Sequence, residues 1–319
     1  MISIILYTRG PMVPVFNPAT HDAGTYSIST AGMAVTAKYV LAGAAAFLAS
    51  AALAGCSIAR LAYNHADWLL LREMDTYLDL SPAQEAQAGA RLRSRLAAHR
   101  HAELPDYARY LESVRLMARD GLTAGEADWI VDKGYALVRR TIRNAVPAIA
   151  PSLAIASNRQ LFHLESHLTE VNRAFREEFL PDSKKVRQER RGRRTMARIE
   201  HWVGALREDQ ISLAKRLRDD LPDSAEDWLA YNAGKQRALV KMLKAGADAP
   251  AVETFLVHWW VELRGRPPSL ERRNQATIEG IKHLIVSVDA TLDERQRSFL
   301  LWRLGNYLDQ IEMLRGRTK

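Results

Sequence analysis

Apolar residues recur along most of this chain at the three- and four-residue spacing of helices that bury one face. Tyr107, Tyr110, Leu111, Val114 and Met117 form one such stripe; Leu300, Leu304, Tyr307, Leu308, Ile311 and Leu314 form another. Charged residues fill the positions between them, as expected of amphipathic helices around a shared core. No run alternates apolar and polar residues with β-branched enrichment, and Asp120-Gly121 reads as a helix stop and not as a hairpin turn. The pattern predicts an all-α fold, a multi-helix bundle or array of about ten amphipathic helices joined by short connections.

The helix starts share a layout. Leu80-Ser81-Pro82-Ala83-Gln84, Leu122-Thr123-Ala124-Gly125-Glu126 and Ala156-Ser157-Asn158-Arg159-Gln160 place a hydroxyl at the cap and Gln or Glu three residues on. Leu206-Arg207-Glu208-Asp209-Gln210 and Leu292-Asp293-Glu294-Arg295-Gln296 are looser copies. This is a capping box: the cap side chain accepts from the third amide, and the Gln or Glu returns to the cap's own amide. Each cap contributes about 1 kcal/mol, and helices are expected to begin near 81, 123, 157, 207 and 293. Gly121, Pro181, Pro222, Gly246, Pro250 and Pro267-Pro268 mark helix ends. The break at Gly246 to Pro250 is a candidate boundary between subdomains, although too short for a linker.

One apolar segment breaks the amphipathic pattern. Lys38 and Tyr39 lead into an Ala-rich run from Val40 to Ala52 that ends in Leu53-Ala54-Gly55-Cys56. A charged residue, an apolar stretch and small residues at a cleavage point are the three parts of an export signal. At roughly 14 residues the run is shorter than the ~20 that cross a bilayer. Its ending resembles the lipobox of bacterial lipoproteins, which implies cleavage between Gly55 and Cys56 and a lipid on Cys56. Ser57, in place of an Asp at that position, implies sorting to the outer membrane. The preceding stretch carries Pro11, Pro14 and Pro18 with no helical period. Translation is therefore expected to start at Met33, with 1–32 an extension or misassigned start, 33–55 the signal and 56–319 the mature domain.

Cleavage would leave 264 residues, 319 less 55, with a net charge of +7 in place of +8. Cys56 is the only cysteine, so no disulfide forms within the chain and packing alone must supply stability. The basic balance matches anionic head groups in an envelope protein and not nucleic acid. Its densest expression is Lys184, Lys185, Arg187, Arg190, Arg191, Arg193 and Arg194, interrupted only by Glu189 among the acids. That run reads either as a solvated face or as a contact for anionic lipid, each basic residue near a membrane surface contributing about 1 kcal/mol.

Candidate chemistry is sparse. His163 and His167 share a helical face at metal-binding spacing, but Leu164 stands where a zincin carries Glu, and no Glu-x-x-His occurs. There is no Walker A sequence and no Gly-x-Gly-x-x-Gly, and the one Gly-x-Ser-x-small match, Gly55 to Ala59, is the lipidation sequence itself. No cofactor, catalytic residue or metal ligand set is therefore assigned.

Arg60 to Leu70, Leu80 to Gln84, Glu103-Leu104-Pro105-Asp106-Tyr107 and Phe175 to Leu180 resemble an uncharacterised family of Gram-negative α-helical lipoproteins built around a domain of unknown function. Leu80 to Gln84 is also similar to the LTxxQ signature of small periplasmic helical proteins, with Ser for Thr. The resemblance implies location and fold and carries no activity. The expected function is a non-enzymatic binding or scaffold role in the cell envelope. The chain would be anchored to the outer membrane through Cys56, face the periplasm, and have an envelope protein or anionic lipid as partner. Two alternatives of other classes stay open: a periplasmic holdase-type chaperone or envelope-stress protein, and a metal-dependent hydrolase using His163 and His167.

Overall fold

The computed structural model describes residues 63–316; the signal segment, its cleavage site and Cys56 lie outside the described residues. Among the described residues the fold is all-α, without strands. In chain order the helices are α1 (Ala66–Leu78), α2 (Pro82–Ala98), α3 (Leu104–Met117), α4 (Ala124–Ala154), α5 (Asn158–Phe179), α6 (Lys184–Val203), α7 (Glu208–Asp219), α8 (Ala225–Lys244), α9 (Ala249–Trp260), α10 (Pro268–Asp289) and α11 (Glu294–Leu314).

All five expected starts are found, at caps Ser81, Thr123, Ser157, Arg207 and Asp293. Four caps accept from the third amide, from Asp293 Oδ1 at 2.8 Å to Ser81 Oγ at 3.4 Å. At the fifth, where arginine offers no acceptor, Gln210 alone closes the box by accepting the Arg207 amide at 3.0 Å.

These boxes do more than cap. The Gln84 amide donates to Gln160 Oε1 at 3.2 Å, and Gln160 donates back to Gln84 Oε1 at 2.8 Å. Gln210 and Gln296 exchange the same two bonds, both at 2.9 Å. Two carboxamides can pair reciprocally because each carries a donor and an acceptor. The starts of α2 and α5 are thereby tied together, and so are those of α7 and α11. Glu126, with no donor of its own, bonds within its box to Thr123 and reaches no second helix.

The main apolar core lies among α1, α2, the C-terminal half of α4, α5, α8 and α9, closed by Leu270 of α10. Met74, Leu92, Val146, Leu161, Leu164, Leu239, Leu256, Trp259 and Trp260 are buried in it. Trp259 Nε1 donates to Asn232 Oδ1 at 3.1 Å, so its one polar atom is satisfied. Residues on both sides of Gly246 belong to this cluster, so the break at Gly246 to Pro250 is a turn within one core. Gly246 has the positive φ (78°) that ends α8 there.

The remaining helices pack with a more polar interior. α3 lies against α11, α11 against α6, α6 against α7, α7 against α10 and α10 against α4. The two apolar stripes of the sequence are those of α3 and α11, and they are half-buried except for Leu304. Gln210, Arg218, Thr277, Asp289 and Gln296 are buried here beside small residues such as Ala118, Ala127 and Ala214. Asp289 accepts the Leu122 amide at 2.7 Å and pairs with Arg297, which also donates to the Ala118 carbonyl at 3.0 Å. One ion pair thus locks the α3–α4 turn to the α10–α11 turn.

Two features escape the sequence pattern. α2 runs into α3 through a π turn, His99–Glu103, where the Leu104 amide donates to the His99 carbonyl. Pro105 explains it: its ring has no N–H and needs room at the carbonyl four residues back. The turn carries Glu103 into the interior, where it accepts from Thr141 at 2.6 Å and Asn144 at 3.0 Å and pairs with Arg95. α4 also continues through Pro147 and Pro151, four residues apart on one face.

Candidate functional site

The basic run from 184 to 194 falls on α6, whose start is capped by Ser183 accepting the Val186 amide at 3.3 Å. The structure sorts the seven cations into two groups. Arg187, Arg190, Arg191 and Arg194 lie at helical stripe spacing and turn toward neighbouring elements. Arg187 pairs with Asp223 at 2.7 Å, and Arg191 Nη2 donates to the carbonyls of Leu221 (2.8 Å) and Pro222 (3.2 Å). Arg190 donates to the Glu177 carbonyl at 2.7 Å, while Arg194 bonds Glu178 at 2.9 Å with its guanidinium 4.6 Å from the Phe179 ring centre. Two of these arginines meet the C-terminal turn of α5, where unpaired carbonyls favour positive charge. Burial pulls the Arg191 and Arg194 pKa values below the ordinary guanidinium range, and nearby carboxylates work against that shift. Four of the seven cations therefore hold α5, α6 and the α7–α8 turn together.

Lys184, Lys185 and Arg193 are exposed. Lys185 and Arg193 line an open groove of about 510 Å³ between α6 and α7, together with Lys215 and Arg218 of α7. Its floor is Gly192, Met196 and Ala197, and Glu189 and Glu200 stand on its rim, so four cations face two carboxylates. Arg218 is the residue that sequence reasoning missed. It is only 8 % exposed, and Asp219 takes its Nε (2.9 Å) and Nη2. Its Nη1 lies over Gly192, in the space a side chain there would occupy, and makes no hydrogen bond among the described residues. Glycine amid the arginines of α6 is the one sequence signal of this close approach.

The histidine pair faces α1. His163 Nε2 is 3.0 Å from the Thr76 carbonyl, and the His167 ring packs edge-on against Tyr77 at 4.3 Å. Burial first, then the His163 charge, lowers the His167 pKa. Among the described residues no group of three or more His, Cys, Asp or Glu is placed to hold a metal ion. Among the same residues no helix is long and apolar enough to cross a membrane. Gly55 and Cys56 fall outside the described residues.

A family model matches residues 76–258, more than half of the chain; its description is a family of unknown function, DUF6279. The chain belongs to this family. The DUF6279 region contains most of the apolar core, the Gln84–Gln160 pair and the whole α6–α7 groove, while Gln296 and α10–α11 lie beyond it. No curated protein and no solved structure matches the chain significantly.

Proposed function

We propose that this DUF6279 chain is a non-enzymatic binding or scaffold module of the bacterial cell envelope, tethered to the outer membrane by lipid on Cys56 and facing the periplasm. The observation that carries the reading is the order Lys38, apolar run, Leu53-Ala54-Gly55-Cys56, placed just ahead of a helical body that starts at Ala66. Nine residues, or ten Cα–Cα steps, separate Cys56 from Ala66. Such a length reaches at most about 35 Å, which would keep the body close to the membrane surface. Three acyl chains, as the resemblance to lipoproteins implies, would hold it permanently, since two lipid signals already suffice for stable anchoring.

The interior supports a binding module over a catalyst. Glu103, Asp289 and the paired glutamines are all engaged in ties between helices. The unspent charge is on the outward side of α6 and in the α6–α7 groove. Crosslinking in intact cells, followed by identification of what is captured, tests the reading. A defined envelope partner or lipid supports it. Capture of many unrelated unfolded proteins would favour a holdase instead, and one tightly bound metal per chain lost on changing His163 or His167 would favour a hydrolase.

A further inference from the structure

The groove between α6 and α7 has the make-up of a ligand site. Arg218 is nine-tenths buried yet keeps one donor edge free, because Asp219 occupies its Nε and Nη2 while Nη1 rests over Gly192. Lys185, Arg193 and Lys215 stand around the same groove, and among the described residues none of them has an ion pair or side-chain hydrogen bond. Guanidinium and ammonium groups lining one groove suit a phosphate, whose oxygens accept several charge-assisted bonds at once. The floor of Gly192, Met196 and Ala197 suits hydrocarbon, and the stem of Lys185 can extend it. At about 510 Å³ the groove has room for a head group and the first methylenes of a chain.

We propose that the α6–α7 groove binds the phosphate of an anionic phospholipid, with Arg218, Lys215 and Arg193 on the phosphate oxygens and the Gly192–Met196 floor against the glycerol and adjoining methylenes. The choice of a lipid rests on the reading of the chain as a membrane-tethered module. Gly192 is essential to the design, since any side chain there would displace the Arg218 guanidinium.

The test uses the full chain in non-ionic detergent, titrated with dihexanoylphosphatidylglycerol, glycerol 3-phosphate or inorganic phosphate, and followed by ³¹P line broadening. Saturable binding of the short-chain lipid, tighter than either free anion, is expected. Arg193→Gln with Lys215→Gln should weaken it about tenfold, the order expected for losing charge-assisted bonds. Lys184→Gln with Arg216→Gln removes the same charge from exposed positions outside the groove and should change affinity less than about twofold. Gly192→Ala should weaken binding like the first pair with the helical circular dichroism unchanged. Equal weakening by the two double variants, free phosphate binding as tightly as the lipid, or no saturable binding would each overturn the proposal. Because no bilayer is present, failure here leaves the tether standing, and a chain that proves untethered leaves the groove result to stand by itself.

Discussion

Replacing Gln210 by Ala tests whether the paired capping boxes are tertiary ties and not merely local caps. Gln210 is fully buried (0 % exposed). Its carbonyl accepts the Arg207 amide at 3.0 Å and the Gln296 amide at 2.9 Å, and its amide donates to Gln296 at 2.9 Å and to the Thr291 carbonyl at 3.1 Å. Each such bond contributes a net ~1 kcal/mol. Gln296 keeps its bond to the Ala205 carbonyl, so it is not left wholly without a partner. With a small term for the cavity, the loss should be about 4–5 kcal/mol. Urea unfolding followed by circular dichroism measures it as a lower midpoint at unchanged slope. Glu126→Ala removes the same box where no second helix is engaged, and should cost clearly less. A double-mutant cycle of Gln210→Ala and Gln296→Ala should give a coupling of about 1–2 kcal/mol. A coupling near zero, or equal losses for Gln210→Ala and Glu126→Ala, would refute the argument.

Two further outcomes follow from the packing. Gly280→Ala on α10 puts a methyl group where the Leu221 side chain lies, and should destabilise by about 1–3 kcal/mol in the same urea assay. His99, half-buried in the π turn, has its pKa lowered to about 4 by desolvation and then by Arg95 and Arg140. Below about 6.5 the unfolded chain binds a proton that the folded chain refuses, so stability should fall as pH drops from about 6.5 to about 4 and then level off as far as this group is concerned. The loss should be about 3 kcal/mol, and His99→Gln should flatten that part of the pH–stability profile.

Helix positions were legible because their starts are encoded locally, in a cap residue and its third neighbour. The pairing of boxes was present in a subtler form: the four boxes that cross-pair carry Gln, and the one that does not carries Glu126. Only the neutral amide offers both donor and acceptor. The basic run reads in sequence as one surface, yet Arg187, Arg190, Arg191 and Arg194 already show the i, i+3, i+4, i+7 spacing of a face that meets neighbours. The carbonyls that receive them belong to α5 and the α7–α8 turn, which sequence alone does not bring together. The π turn was hidden because Glu103 becomes a buried acceptor only where Thr141 and Asn144 of α4 pass beside it. Arg218 was hidden likewise, since the free edge of its guanidinium depends on the approach of Gly192.

The central claim is that lipid on Cys56 holds this helical module to the membrane, and fractionation of cells expressing the native chain and its Cys56→Ala variant tests it most directly. The native chain should sediment with the outer membrane, resist extraction by salt and come off with detergent, with the signal before Cys56 removed. The variant should lose the processed, membrane-bound form. A Cys56→Ala chain that partitions into membranes and is processed as the native one is would contradict the account.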